Sequence, residues 1–227
     1  MNDVSARPLP GLRWLREPIN ALTHAAGVVL GLVGLGVLWA LASGDVLHTV
    51  SATVYGLSVV LLFLASTLLH ALKVGYKTYV RLRLFDHAAI FVLIAGTYTP
   101  VLLVAVRPAA PSLAIALLSV VWALALLGVL FKIFWLNAPR WFSTALYVIL
   151  GWLSVLALGP LVQALPWPGV TWLVAGGVTY TVGAVVYALK RPDPFPTVFG
   201  YHEIWHLFVL AGSAFHFVLI ARYIIGA

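Results

Sequence analysis

Histidine, aspartate and serine side chains at helical spacing are the residues of this sequence that could carry chemistry. His202 and His206 are four residues apart, so on a helix both imidazoles face one direction, about 6 Å apart along the axis. Ser66 and His70 repeat this spacing in an earlier apolar segment. Asp86 begins a third apolar segment and supplies a carboxylate. Residues of these types can serve as metal ligands and as acid–base groups.

The composition places these residues in a membrane protein. Of 227 residues, 63% are hydrophobic and only 8% are charged, about a third of the charge of an average soluble chain. The sequence contains no cysteine, so any metal must be held by histidine, carboxylate, hydroxyl or water. The net charge of +7 is better explained by membrane orientation and anionic lipid headgroups than by nucleic acid, which we do not expect as a partner.

Long apolar segments predict an all-α, polytopic membrane protein built as a seven-helix bundle. Each segment is near the ~20 residues that a helix needs to cross ~30 Å of hydrocarbon. The first is longer than the apolar region of a signal peptide, so we expect an uncleaved helix. We expect a short cytoplasmic N-terminal segment over residues 1–20 and a single membrane domain over residues 21–227. The predicted spans are 21–42, 50–72, 85–106, 112–135, 141–163, 168–189 and 201–224.

The distribution of basic residues predicts the orientation of the bundle. Eleven lysine and arginine residues fall at the N-terminus and in or beside the loops after the second, fourth and sixth spans, against two on the opposite side. The positive-inside rule therefore predicts a cytoplasmic N-terminus and a C-terminus outside. This orientation is opposite to that of G-protein-coupled receptors. A microbial rhodopsin is also disfavoured, because the seventh span lacks a lysine for retinal.

This topology brings the candidate residues to one depth near the cytoplasmic face. The second span ends there and the third and seventh spans begin there, so His70, Asp86, His202 and His206 lie level. Three imidazoles with a carboxylate suit Zn²⁺, with a fourth position open to water. Ionisable side chains are costly within a membrane, which favours a functional interpretation. A packed or snorkelling histidine pair is the alternative.

Other polar residues near the spans have supporting roles in this interpretation. His24 lies on the same side as the predicted site, with Glu17 and Asn20, and these residues could close over the site or hydrogen-bond its ligands. Helix capping by Asn20 or packing by Thr23 is the alternative. His216 lies about 15 Å beyond His206 along the seventh span, so we expect a buried residue bonded to a neighbouring helix.

Glycines and prolines within the spans predict local packing. Gly27 and Gly31 are four residues apart, a spacing that allows a neighbouring helix to approach closely. Pro100 and Pro160 fall inside predicted spans, where neighbouring helices can accommodate a local bend. Packing explains these residues without any role in chemistry.

Taken in order along the chain, the motifs resemble those of the hemolysin III family. The resemblance covers nearly the whole chain and places it in a superfamily with the adiponectin and progestin receptors, with proposed common ancestry with alkaline ceramidases. We expect the compact bacterial branch, because the receptors carry an extended N-terminal domain and only about twenty residues precede the first span here. The matching motifs are Glu17-x-x-Asn20-x-x-Thr23-His24, Ser66-x-x-x-His70, Asp86, Gly96-Thr97-Tyr98-Thr99-Pro100 and His202-x-x-x-His206.

The resemblance implies an intramembrane zinc site near the cytoplasmic face. It implies that His70, His202 and His206 hold Zn²⁺. It further implies a water between the metal and Asp86, with Ser66 beside that water. For the whole chain it implies a multi-pass protein of the bacterial cytoplasmic membrane that is linked to membrane homeostasis.

These residues favour a zinc-dependent hydrolase that acts on a lipid amide or ester. Zn²⁺ lowers the pKa of its bound water to about 7 and can polarise a carbonyl. Asp86 would accept the proton of the water and deliver it to the leaving group. Ser66 would orient the water or hydrogen-bond the developing oxyanion. The acyl chain of the lipid substrate would lie between helices.

Three alternatives to a lipid hydrolase remain open. His202, Glu203 and His206 spell H-E-x-x-H, which suggests an intramembrane zinc protease, although no acid follows Glu203 to complete the ligand set. A non-enzymatic regulator, a receptor-like protein or a cytolytic pore would use the zinc structurally, with Asp86 closing the fourth position. A di-iron desaturase would need more histidines than the cytoplasmic side provides.

Overall fold

The computed structural model of the chain describes residues 12, 14–42, 44–195 and 198–227. Within these residues the architecture is all-helical, and seven helices are long and apolar enough to cross a membrane. Most of the predicted N-terminal segment 1–20 lies outside the described residues. The helices are α1 Pro18–Leu41, α2 Val46–Ala71, α3 Tyr76–Val106, α4 Pro111–Phe134, α5 Arg140–Ala164, α6 Trp167–Leu189 and α7 Tyr201–Ile225.

The seven predicted spans are confirmed in the described part of the chain, but six of them start earlier than predicted, α3 by the largest margin. Helix α3 begins at Tyr76 rather than at residue 85, so the basic segment predicted as a loop is largely helical. Lysine and arginine are good helix formers, and a helix can continue beyond the hydrocarbon into water. Asp86 therefore lies within α3 and does not open it. Helix α2 begins at Val46, where Asp45 accepts a hydrogen bond from the His48 N–H at 2.8 Å.

The prolines inside the spans coincide with changes of helix type. After Pro100 the end of α3 becomes a π-helix over Val101–Val106. Shortly before Pro160 the middle of α5 becomes a 3-10 helix over Leu153–Ala157. Proline has no N–H to donate within a helix, so the backbone near it adopts another hydrogen-bonding pattern.

Tyr98 of α3 stabilises the interruption in α5. Its hydroxyl accepts a hydrogen bond from the Ser154 N–H at 2.7 Å and donates to the Gly151 carbonyl at 2.6 Å. These backbone groups lie where α5 leaves the α-helical pattern, and a membrane offers little water to satisfy them. A neighbouring helix thus supplies the missing partners, as expected for an interruption within the bilayer.

Helices that follow one another in the sequence pack side by side, and α7 returns to contact α1. The outward face of the bundle is apolar, with exposed side chains such as Val29 and Leu127. Asn20 and His24, on the same helix as Val29, are buried. An apolar exterior with polar residues inside is the pattern expected of a helical bundle in lipid. The bundle therefore holds its polar residues in its interior.

Glycines allow α1 and α2 to approach closely, as predicted. A Cβ on Gly27 would lie 2.5 Å from the ring of Phe63, and a Cβ on Gly31 would lie 3.2 Å from Val60. Gly36, on the same helix, has nothing within 4 Å of such an atom. The close contact is thus specific to one face of α1.

Gly27→Ala is expected to destabilise the protein by about 1–3 kcal/mol through overpacking, because the Phe63 side chain is fully buried and has no space to move into. Gly36→Ala is the matched control, and its better helix propensity should leave stability unchanged or raise it by up to about 1 kcal/mol. Thermal unfolding of both purified variants in detergent measures the difference. Equal unfolding midpoints would contradict tight packing at Gly27.

Candidate metal centre

Three imidazoles meet at one end of the bundle, where α2 ends and α7 begins. His70 comes from the last turn of α2, and His202 and His206 come from the first two turns of α7. One candidate ligand atom from each lies within 4.8 Å of the others. The ring centroids are 4.8 to 5.1 Å apart. The three histidines are therefore close enough to bind one metal ion, which confirms the convergence predicted from the sequence.

Glu17 fixes the orientation of the His70 ring. Its carboxylate accepts a hydrogen bond from His70 Nδ1, and its backbone N–H donates to the His70 carbonyl at 2.9 Å. Burial would raise the pKa of Glu17, but the hydrogen bond with His70 and the nearby Arg16 guanidinium hold that pKa below its usual range. Glu17 is therefore an ionised acceptor at neutral pH. His70 Nε2 is left as the available ligand atom.

The donor set fits a divalent metal ion. Histidines that bind metals usually donate their other ring N–H to a carboxylate or carbonyl, as His70 does to Glu17. His206 Nδ1 is buried, and no hydrogen-bond partner for it lies among the described residues. Clustered imidazoles at such distances repel one another when protonated, whereas neutral imidazoles share a cation favourably.

Asn20 joins the start of α1 to the start of α7. Its side-chain amide donates to Glu203 at 2.9 Å and to Glu17 at 3.3 Å. The other carboxylate oxygen of Glu203 accepts from the Gly200 N–H at 2.8 Å and caps α7. Asn20 lies inside α1, whose N-cap residue is Glu17, so the alternative role of Asn20 as a helix cap is excluded. These bonds set the position of α7 relative to α1.

His24 packs directly against a predicted ligand. Its ring stacks on that of His206 with centroids 3.8 Å apart and an interplanar angle of 21°. Its Nε2 donates to the His206 carbonyl at 3.4 Å, and its ring meets the edge of Phe63 at 5.0 Å. His24 lies outside the group of three histidines that could hold a metal. It is placed to hold the His206 backbone and ring in position.

Asp86 and Ser66 lie in the wall of a cavity beside the three histidines. The Ser66 hydroxyl and the Asp86 carboxylate are close enough to interact, and Asp86 also interacts electrostatically with His70. Ser66 is buried one turn before His70 on α2, and Asp86 is half-buried on α3. Asp86 is not a member of the closest group of ligand atoms, so it stands beside the three imidazoles.

His216 and His87 also lie outside the group of three clustered histidines. His216 is buried, and its Nε2 donates to the Leu173 carbonyl of α6 at 3.4 Å. The predicted bond to a neighbouring helix is thus confirmed. His87 follows Asp86 on α3, and its backbone carbonyl accepts from the Tyr147 hydroxyl at 3.2 Å.

The cavity beside the histidines has a volume of about 1210 Å³. Polar residues line it near the metal centre, and its wall continues along α7 as far as His216. Apolar side chains from several helices form the wall between, among them Leu62, Ile90, Leu93 and Val209. The volume exceeds that of most small-molecule pockets, about 300–1,000 Å³. The cavity thus joins a polar region beside the three histidines to a wall that includes many apolar side chains.

The roles of two polar residues were not evident from the sequence. Glu203 fits the H-E-x-x-H pattern, but it also lies three residues after the N-cap Gly200, and the role observed is that its carboxylate accepts from the Gly200 N–H, which is one half of a capping box. Lys132 counts as a loop residue in the charge distribution, yet its side chain is 1% exposed and donates to Ser143 at 2.6 Å. The apolar residues on either side of Lys132 in the sequence could have indicated that its side chain is buried.

The fold and the site together define a polytopic membrane protein with a buried cluster of histidines able to hold a metal at one end of its helical bundle. Residues 12–217 match a family model described as haemolysin-III related. The chain belongs to this family, and the resemblance predicted from the motifs is confirmed.

Bacterial and mammalian relatives are similar to the chain over most of its length. The "Hemolysin-3 homolog" of Bacillus subtilis (strain 168) is 43% identical over 91% of this chain and 93% of the relative. "Hemolysin-3" of Bacillus cereus is 41% identical over 94% of each. The "Monocyte to macrophage differentiation factor" of Homo sapiens is 28% identical over 90% of this chain and 83% of the relative. The chain is thus a multi-pass integral membrane protein of the haemolysin III type.

Proposed function

We propose that the chain is a zinc-dependent hydrolase that acts on an amide or ester bond of a membrane lipid. The observation that carries this proposal is the position of three imidazoles beside a carboxylate and a hydroxyl in the wall of an intramembrane cavity. This arrangement combines a metal site, an acid–base group and space for an apolar substrate.

Zn²⁺ is the cation that this donor set favours. His70, His202 and His206 would hold it, and His70 would use the ring nitrogen that is not bonded to Glu17. Three protein ligands leave one tetrahedral position open, which is typical of catalytic zinc sites rather than structural ones. A bound Zn²⁺ would supply Lewis acidity and a water that ionises near neutral pH.

Asp86 and Ser66 are the residues that would act on the substrate. Asp86 would take the proton of the attacking water and deliver it to the leaving amine or alcohol. Ser66, which interacts with Asp86, would orient the water or donate a hydrogen bond to the developing oxyanion. Glu17 and His24 would position the histidine ligands through the contacts they make with His70 and His206.

A membrane lipid is the substrate class that the cavity favours. The acyl chain would lie along the apolar part of the wall, near Leu93 and Val209, and the bond to be cleaved would lie at the polar end near Asp86. Binding of the chain would hold the reacting carbonyl near the metal centre, which lowers the entropic part of the barrier.

We place the protein in the bacterial cytoplasmic membrane, with residues 21–227 as one domain. The excess of basic residues at the end of the bundle that carries the histidines supports a cytoplasmic N-terminus and a C-terminus outside. The relatives from two Bacillus species support a bacterial membrane. In this orientation the metal centre would open toward the cytoplasm.

The geometry does not favour an intramembrane protease. A protease of the H-E-x-x-H type needs Glu203 as its base. Here one oxygen of Glu203 accepts from Asn20 and the other from the Gly200 N–H. Both contacts hold the carboxylate as a cap of α7, away from such a role.

A lytic pore is the second candidate, since two relatives carry the name hemolysin-3. Conductance of planar bilayers containing the purified protein tests it. Ion currents that survive loss of the histidine ligands would favour a pore, whereas their absence would remove this candidate.

Lipid hydrolysis by the purified, zinc-loaded protein tests the proposed function. Fluorescent ceramide and fluorescent phosphatidylcholine offer an amide and an ester, and chromatography would measure the released fatty acid. We expect release from one of them, its loss on chelation and its recovery on addition of Zn²⁺. Absence of release from every lipid amide and ester tried with zinc-loaded protein would overturn the proposal.

Glu17→Gln is expected to weaken zinc binding by about 10- to 100-fold, because the amide is a poorer partner for the His70 ring than an ionised carboxylate. Competition with a fluorescent zinc chelator measures the affinity. Asp45→Asn is the matched control, since Asp45 caps α2 at the opposite end of the bundle and asparagine caps helices equally well. Equal affinities in the two variants would show that Glu17 does not support the metal.

A further inference from the structure

Lys132 places a positive charge inside the bundle, in the last turns of α4. Its side chain is 1% exposed. Its ammonium donates to the Ser143 hydroxyl at 2.6 Å and lies 5.4 Å from the centre of the Phe131 ring. Within the part of the chain that the structure describes, no carboxylate forms an ion pair with it.

A buried ammonium whose hydrogen-bond partner is a neutral hydroxyl needs an explanation. Lysine has three N–H donors, and Ser143 accepts from one of them. A charge removed from water lowers stability unless another charge or several hydrogen bonds compensate it. An anion in the adjacent cavity would provide both.

Arg83 adds a second cation to the cavity wall that Lys132 lines. It lies half-buried on α3, where its guanidinium donates to the Asn137 side chain at 2.9 Å. Arg83, Lys132, Asn137 and Ser143 all line the same cavity. Two cations that repel each other are jointly stabilised by an anion placed between them. The hydroxyl and the amide supply further polar contacts.

The metal centre shares this cavity with the two cations. His70, His202 and His206 line the same cavity as Lys132 and Arg83, and His87 also lines it. On α3, Arg83 and Asp86 are three residues apart, so they share one face of the helix. A single molecule in the cavity can therefore reach both places.

We propose that Lys132 and Arg83 bind the anionic headgroup of an amphiphile, of the phosphate monoester type, whose chain lies along the apolar wall of the cavity. The inference goes beyond the proposed hydrolysis, because it concerns binding and holds with or without turnover. Inorganic phosphate has the same headgroup chemistry without the chain. Comparison of the two ligands therefore separates a lipid from a free anion.

Calorimetric titration of the purified full chain with dodecyl phosphate and with inorganic phosphate, both in neutral maltoside detergent, tests the proposal. Dodecyl phosphate should bind the wild type. Lys132→Met should weaken this binding by about 10- to 100-fold, the usual effect of losing a charged hydrogen bond. Lys77→Met, which removes the same charge from an exposed site on α3, should bind as the wild type does. Lys132→Arg should retain most of the affinity.

Arg83→Gln provides a second test should Lys132→Met not fold, and we expect about a tenfold weaker affinity for dodecyl phosphate. Unchanged affinity in both variants, or no binding by the wild type, would overturn the proposal. If the wild type binds inorganic phosphate as tightly as dodecyl phosphate, the ligand is a free anion, and the proposal of an amphiphile is overturned. Lipid hydrolysis is measured separately, so its absence with phosphate binding intact would count against the hydrolase alone.

Discussion

Replacement of both His202 and His206 by alanine is expected to abolish zinc binding. The wild type should hold about one zinc ion per chain and the double variant less than about a tenth of that, because one of three ligands remains. His70 alone, although oriented by Glu17, offers a single nitrogen. Plasma mass spectrometry of the purified proteins, grown with zinc and then desalted, measures the occupancy.

His216→Ala is the matched control for this experiment. It removes a buried imidazole from the same helix, and that imidazole is bonded to the Leu173 carbonyl rather than to the other histidines. This variant should keep its zinc. A wild type without zinc under these conditions, or full occupancy in the double variant, would contradict the proposed centre.

The number and order of the helices could be predicted from the sequence for a physical reason. A segment that crosses hydrocarbon must satisfy its backbone hydrogen bonds internally and expose apolar side chains, so composition alone marks it. The start of α3 could not be predicted in this way. Its first residues, from Tyr76 onward, are helical but polar. Hydropathy indicates where a helix leaves the lipid, whereas the helix itself can continue into water.

The meeting of His70 with His202 and His206 could also be predicted, because it depends on topology and helical spacing. Consecutive spans alternate in direction, so the end of α2 and the start of α7 lie on one side of the bundle. The stacking of His24 on His206 could not be predicted. It depends on how far α1 is rotated about its axis, which spacing within one helix does not determine.

Lys132 shows the limit of a charge count. Near the end of an apolar span, a lysine can extend toward water or turn inward, and the sequence is the same in both cases. The inward position depends on Ser143, which lies on the next helix and accepts its hydrogen bond. Partners of this kind become evident only when the helices are assembled.

Asp86→Asn is expected to lower kcat for lipid hydrolysis by about 10²- to 10⁴-fold and to leave the zinc content unchanged. Asparagine has nearly the same size and can still bond to Ser66, but it cannot take up a proton, so it removes the acid–base step. The three histidine ligands are untouched, since Asp86 is outside that group. Steady-state release of fatty acid, with zinc measured on the same samples, gives both quantities.

Glu203→Gln separates the hydrolase from the protease interpretation. Glutamine has one acceptor oxygen, which can keep the bond from the Gly200 N–H that caps α7, while the bond from Asn20 is lost, so lipid hydrolysis should fall by no more than about tenfold. If Glu203 were the base, this variant would lose about as much rate as we expect for Asp86→Asn. A large loss of activity in Glu203→Gln, together with full activity in Asp86→Asn, would show that Glu203 rather than Asp86 accepts the proton. Because the two carboxylates lie on different helices, one pair of amide substitutions decides which of them the chemistry requires.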